Sequence, residues 1–125
     1  MTGEGLGDHI LVDFYGCEPE LIAAVPHVEA TMTAAAKAAS ATIVKTVFHG
    51  FNPVGVSGVV VITESHLAIH TWPEHGFASI DLFTCGAKID AAAAFEELRV
   101  GFKAKKVTIT RAKRGALLSE RPVQP

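Results

Sequence analysis

Apolar and polar residues alternate along several short runs of the chain, and apolar residues recur at helical spacing in two longer ones. In His9–Tyr15 (HILVDFY), Ile10, Val12 and Phe14 share one face, the period-two pattern of a half-buried strand. Glu18-Pro19-Glu20 opens a helical stretch, because proline suits a first helical position and acids suit the positive helix end. Pro26 cannot sit in a smooth helix interior. A short helical turn, Pro19–Ala24, is therefore expected to hand over to a longer, Ala-rich helix, Pro26–Ala39. Thr42–Phe48 (TIVKTVF) reads as a second strand, and Gly50–Gly58 as a loop punctuated by Pro53, Gly55 and Gly58.

Val59–Ile62, Leu67–Thr71 and Phe77–Phe83 are three further short β segments, separated by Thr63–His66 and Pro73–Gly76. Asp90 is a suitable N-cap for a second helix, Ala91–Phe102, whose Phe95, Leu98 and Phe102 line one face. Lys106–Thr110 (KVTIT) is a last strand, and Arg111–Pro125 reads as a loose tail. The order β-α-β-β-β-β-α-β is no regular βαβ alternation. It predicts an α+β fold, a mainly antiparallel sheet with helices on one face, forming a two-layer sandwich. Two helices cannot cover both faces, so a homodimer packed sheet to sheet, in an αββα arrangement, is the expected way to bury the other.

Composition narrows this further. The chain's 125 residues make one domain, 1–125, and 49% hydrophobic against 19% charged residues supply a real core. Eleven Lys plus Arg against 13 Asp plus Glu leave a formal charge of −2, without the basic surplus of a nucleic-acid binder. No apolar run approaches the roughly 20 residues a membrane helix needs, and the polar start, Met1–Asp8, has no signal-peptide pattern. Cys17 and Cys85 make no disulfide framework, which points to thiols in a reducing cytoplasm.

Candidate chemistry is concentrated in residues 49–86, which hold four of the six His, the only Trp and one of the two Cys. Three readings compete there. A zinc site from His66, His70, His75 and Cys85 meets the objection that residues four apart on a strand lie about 13 Å apart. A Ser-His-Asp hydrolase from Ser57 or Ser65, His70 and Asp81 lacks the full G-x-S-x-G spacing and the strand-to-helix turn of a nucleophile elbow. The third is self-cleavage: Ser65, in Glu64-Ser65-His66 at a tight turn and with a base close by, attacks the carbonyl before it. The plain alternative is a turn serine bonded to its own backbone.

The strings FHGFNPVGVSGVVVITESHLAIHTWPEHGFASIDLFTCG and HILVDFYGC resemble the short bacterial and archaeal form of S-adenosylmethionine decarboxylase. The match is tight from Phe51 through Gly86 and looser from about Leu6 to Arg114. The resemblance implies a proenzyme that cuts itself between Glu64 and Ser65 into a β chain, 1–64, and an α chain, 65–125. Ser65 would become a covalent pyruvoyl group that forms a Schiff base with the substrate, with no metal and no pyridoxal phosphate. Ser57 and His70 match the processing residues, respectively a donor to the tetrahedral intermediate and a base for the elimination. Cys85 matches the proton donor of decarboxylation. Phe51 and Trp72 match aromatic positions suited to adenine and sulfonium, and Glu74 an acidic position suited to ribose hydroxyls. The implied product is decarboxylated S-adenosylmethionine, the aminopropyl donor for spermidine synthesis. Ornithine or arginine as substrate, and a partner subunit that never cleaves, are the rival readings. His49, His66, His75 and Asp81 receive no role, and Cys17 is taken as structural.

Overall fold

A computed structural model describes residues 5–63, 65–85 and 88–116. Six strands and two helices follow one another as β1 (Gly5–Tyr15), α1 (Val25–Ala38), β2 (Ile43–Gly50), β3 (Val56–Ile62), β4 (Ser65–Trp72), β5 (Phe77–Thr84), α2 (Ala91–Phe102) and β6 (Lys106–Ala116). The strands form one sheet in the order β2-β3-β4-β5-β1-β6, with every neighbouring pair antiparallel. The fold is therefore α+β, as the element order predicts.

Alternation splits the sheet into two unlike faces. Ile10, Val12 and Phe14 of β1, Leu67 and Ile69 of β4, and Ala78, Ile80 and Leu82 of β5 are buried, and both helices pack on that side. Helix α1 turns Val28, Thr31, Met32, Ala35 and Ala36 inward, the i, i+3, i+4, i+7, i+8 stripe of an amphipathic helix. Helix α2 adds Ala94, Phe95, Leu98 and Phe102. The helices approach closely at Gly101, where a Cβ would lie 2.4 Å from a Thr31 methyl carbon. Asp90 caps α2 as expected, its carboxylate accepting the Ala93 N–H at 3.1 Å. The intervening residues, including His9, Leu11, Tyr15, Val47, His66, His70, Trp72 and Asp81, point to the face without helices. Leu11, Tyr15, Val47 and Trp72 remain 40–53% exposed there.

Several boundaries differ from the sequence reading. Strand β4 starts at Ser65 rather than Leu67, because Ser65 and His66, expected between strands, pair with both β3 and β5. Strand β1 starts at Gly5 rather than His9, because Gly5 and Gly7 pair with β6 although they carry no apolar signal. The loop after β2 ends at Gly55, so Ser57 lies inside β3, opposite His49 and His70. The turn Pro19–Ala24 contracts to one 3-10 turn, Pro19–Leu21, with the Ile22 N–H closing on Pro19. The stretch expected as a loose tail continues β6 to Ala116. Its lysines and arginines suit an edge strand, where charge discourages pairing with another chain. The rest of that expected tail lies outside the described residues. Among the described residues, no helix is long and apolar enough to cross a membrane.

Candidate active site

The expected site residues fall at the two ends of the β3–β4 hairpin. At the β2–β3 loop end, Ser57 and His70 stand directly opposite each other, and Ser57 Oγ lies 2.5 Å from His70 Nδ1. They line a cleft of about 310 Å³ together with Phe51, Trp72 and Glu74. Five residues singled out in the sequence thus share one cavity. Phe51 is 53% exposed, so core packing does not account for it, and Trp72 likewise shows its ring to the cleft.

A buried hydroxyl frames this cleft. Thr71 Oγ1 donates to the Ile22 carbonyl at 2.8 Å and accepts the Val56 N–H at 2.9 Å. It ties β4 to the start of β3 and to the chain before α1. The Gly55 N–H reaches the Ala23 carbonyl, and the Phe51 N–H the Gly55 carbonyl, so the loop carrying Phe51 is anchored by its backbone. Nothing in the linear pattern marks Thr71, because its partners lie 15 and 49 residues away.

At the opposite end, Ser65 is the first residue of β4, half-buried and in register with Ile62 and Thr84. Cys85, exposed, follows Thr84 directly. The expected scissile bond joins Ser65 to Glu64, which lies outside the described residues. Five steps along the strand separate Ser65 from His70, about 16 Å at roughly 3.3 Å per residue. The expectation of a base close to Ser65 therefore fails for His70 within one chain: an extended strand carries the two apart.

The competing readings also find their places. Ser57 does bond His70, but Asp81 does not complete a triad: its Oδ2 accepts from His9 Nε2 at 2.8 Å and lies 3.1 Å from His66 Nε2. Ser57 sits within a strand, not at a strand-to-helix elbow. The zinc quartet is dispersed by the strand spacing of His66 and His70. Among the described residues, the set with metal-ligand spacing is instead His9, His66 and Asp81, whose ligand atoms lie within 4.8 Å of one another. Alternation in HILVDFY already placed His9 away from the core, but its meeting with Asp81 depends on β1 pairing with β5. Cys17 is buried, and burial pushes its thiol up to about 11, which suits a packing role.

The family profile described as S-adenosylmethionine decarboxylase matches residues 8–115. An S-adenosylmethionine decarboxylase proenzyme of Thermotoga maritima is 52% identical over 112 residues, covering 90% of this chain and 86% of that protein. Another, from Acetivibrio thermocellus, is 49% identical over 119 residues, covering 95% and 94%. The crystal structure of the adenosylmethionine decarboxylase from Aquifex aeolicus superposes with a TM-score of 0.84 at 34% identity, covering 96% of this chain and 99% of that one.

Proposed function

The chain belongs to the S-adenosylmethionine decarboxylase family, and from that premise we propose that it removes CO₂ from S-adenosylmethionine using a pyruvoyl group made from its own Ser65. The observation that carries the reading is the cleft in which the Ser57–His70 pair sits beside Phe51, Trp72 and Glu74. Exposed aromatic faces suit an adenine and a sulfonium, the latter gaining about 0.5–2 kcal/mol over a π face. A carboxylate beside them suits ribose hydroxyls. Ornithine and arginine offer no ring for Phe51 and Trp72 to stack on, so the cleft favours the nucleoside.

Formation of the group is a rearrangement of the chain itself. Ser65 Oγ attacks the Glu64 carbonyl, converting the amide to an ester. The ester is then lost by β-elimination, leaving fragment 1–64 with a free carboxylate. Hydrolysis of the resulting dehydroalanine releases ammonia. Ser57 donates to the oxyanion of the tetrahedral intermediate, and His70 takes the α-proton of residue 65. Position 65 suits the group: it is the first residue of β4, so a new chain terminus there leaves the hairpin strands paired. The pyruvoyl group supplies the electron sink for the carbanion left when CO₂ departs. Cys85, beside residue 65, holds the proton returned to the substrate α-carbon. That role needs a thiol rather than a disulfide, consistent with a cytoplasmic setting for this step toward aminopropyl transfer.

The 16 Å separation within one strand is bridged by a second copy. A two-fold axis lying between two stacked uncovered faces, and running across their strands, exchanges the hairpin ends. It brings the partner subunit's Ser57 and the partner subunit's His70 to Ser65 and Cys85, with sheets about 10 Å apart. The same packing covers Leu11, Tyr15, Val47 and Trp72.

Intact-mass analysis of purified protein should show two fragments, 1–64 and a 65–125 fragment blocked to Edman sequencing, and CO₂ release from S-adenosylmethionine but not from ornithine or arginine. A single full-length chain after prolonged incubation overturns the self-processing, and release from an amino acid overturns the substrate.

A further inference from the structure

Four strands bring one polar group each to the Ser65 end of the uncovered face: His9 (β1), His66 (β4), Asp81 (β5) and Arg114 (β6). Hydrogen-bonding capacity fixes where their protons lie. Arginine has only donors, so His9 Nδ1, 2.9 Å from Arg114 Nη1, must accept. His9 is then neutral, and its proton sits on Nε2, which donates to Asp81 Oδ2 at 2.8 Å. A carboxylate only accepts, so His66 Nε2, 3.1 Å from the same oxygen, also donates. His66 Nδ1 is left as the nitrogen of this group able to take up and return a proton. The same logic disfavours a cation held by His9, His66 and Asp81, because Arg114 would have to leave His9 before its Nε2 could present a lone pair.

We propose that His66 restores the proton that Cys85 gives up in each turnover, with Asp81, His9 and Arg114 as positioning residues that hold the imidazole in one tautomer. This rests on the reading of Cys85 as proton donor. Register places the two together: His66 is paired with Phe83, and Cys85 lies two positions further along that chain. Cys85 follows the last residue of β5, and where a ladder continues, such diagonal neighbours lie about 7–8 Å apart, a span an imidazole and a thiol can cover. The Phe83 ring lies beneath the imidazole, with centroids 5.9 Å apart and planes 25° apart. The remaining charged group in this row is Lys45 on β2, beyond Val61.

The transfer balances without any electron donor. Cys85 gives its proton to the substrate α-carbon and becomes a thiolate. His66, as imidazolium, passes its Nδ1 proton to that sulfur and becomes neutral. Solvent then reprotonates His66, whose side chain is 38% exposed in the single chain.

Two measurements test this, one without any turnover. In the uncleavable Ser65→Ala chain, iodoacetamide should alkylate Cys85 at pH 7 about threefold or more slowly once His66→Gln is added, since a neighbouring imidazolium favours the thiolate. Asp81→Asn should act in the same direction. In the cleaved enzyme, His66→Ala should lower kcat by about tenfold to a hundredfold with KM unchanged, and added imidazole should restore it saturably. A wild-type alkylation rate in both variants, or a kcat loss that imidazole cannot restore, overturns the relay. Should His66→Ala fail to cleave itself, the alkylation measurement decides, because it needs no cleavage. Wild-type turnover in Cys85→Ala would instead defeat the proton-donor reading beneath it.

Discussion

The two faces of the sheet are built from the same strands, a residue apart, and serve opposite ends. On the helix side Val12, Phe14, Ile69 and Ile80 are almost wholly removed from water. On the other side their immediate neighbours include Leu11 and Tyr15, about 40% exposed, and the polar groups His9, His70 and Asp81. Cohesion on one side depends on volume and admits a polar group only where it is bonded, as at Thr71. Chemistry on the other depends on register, since it is cross-strand pairing that puts Ser57 against His70 and His66 against Phe83. Substitutions on the two faces should therefore fail differently.

The largest effects belong to the residues of the proposed site and should spare folding. Cys85→Ala should cleave itself normally yet lose about 10²–10⁴-fold in turnover, the usual contribution of a positioned general acid. His70→Ala should stall before cleavage, as should Ser65→Ala. Co-expressed in one cell, those two uncleaved chains should recover cleavage and up to about a quarter of wild-type activity, because half of the dimers are mixed and each mixed dimer has one intact site. No recovery in isolated mixed dimers would mean that each chain completes its own site.

The covered face should behave in reverse. Phe14→Ala removes a fully buried ring and should cost about 3–5 kcal/mol in denaturant unfolding. The molecules that remain folded should cleave and turn over as wild type. A variant that folds well but does not process would blur the distinction between the faces.

The smallest expected effect is a pH dependence confined to the covered side. Cys17 is buried with its thiol pushed up to about 11 from 9.0. The unfolded chain releases this proton first as pH rises, so folding stability should fall between pH 9 and 11. The loss is of the order of 3 kcal/mol at 1.36 kcal/mol per pH unit. Cys17→Ala should show a shallower decline across that window, and below pH 9 the two curves should run parallel. Parallel curves throughout would place Cys17 in a less buried setting.

How far each face was legible in the chain follows from the same contrast. The covered face follows from local alternation: Ile10, Val12 and Phe14 were assigned inward, and Phe95, Leu98 and Phe102 were placed on one helix face, as found. The composition of residues 49–86 marked the segment and the family resemblance named its residues, and Phe51, Ser57, His70, Trp72 and Glu74 do line one cavity. What alternation cannot supply is strand order. Asp81 meets His9, 72 residues away, because β1 inserts between β5 and β6, a long-range pairing with no local signature. Nor could motif spacing show that Ser65 and His70 lie at opposite ends of one extended strand. Five positions look close in a sequence and are far apart in a strand.

The length of β4 also sets when the chain can mature. With nucleophile and base at opposite ends of a rigid hairpin, a newly made polypeptide in the proposed assembly cannot cut itself alone. The first cleavage must then be second order in chain concentration, slow when copies are scarce and fast once they accumulate. Dilution acts as the safety catch on this precursor, and no separate inhibitory segment is required to hold it.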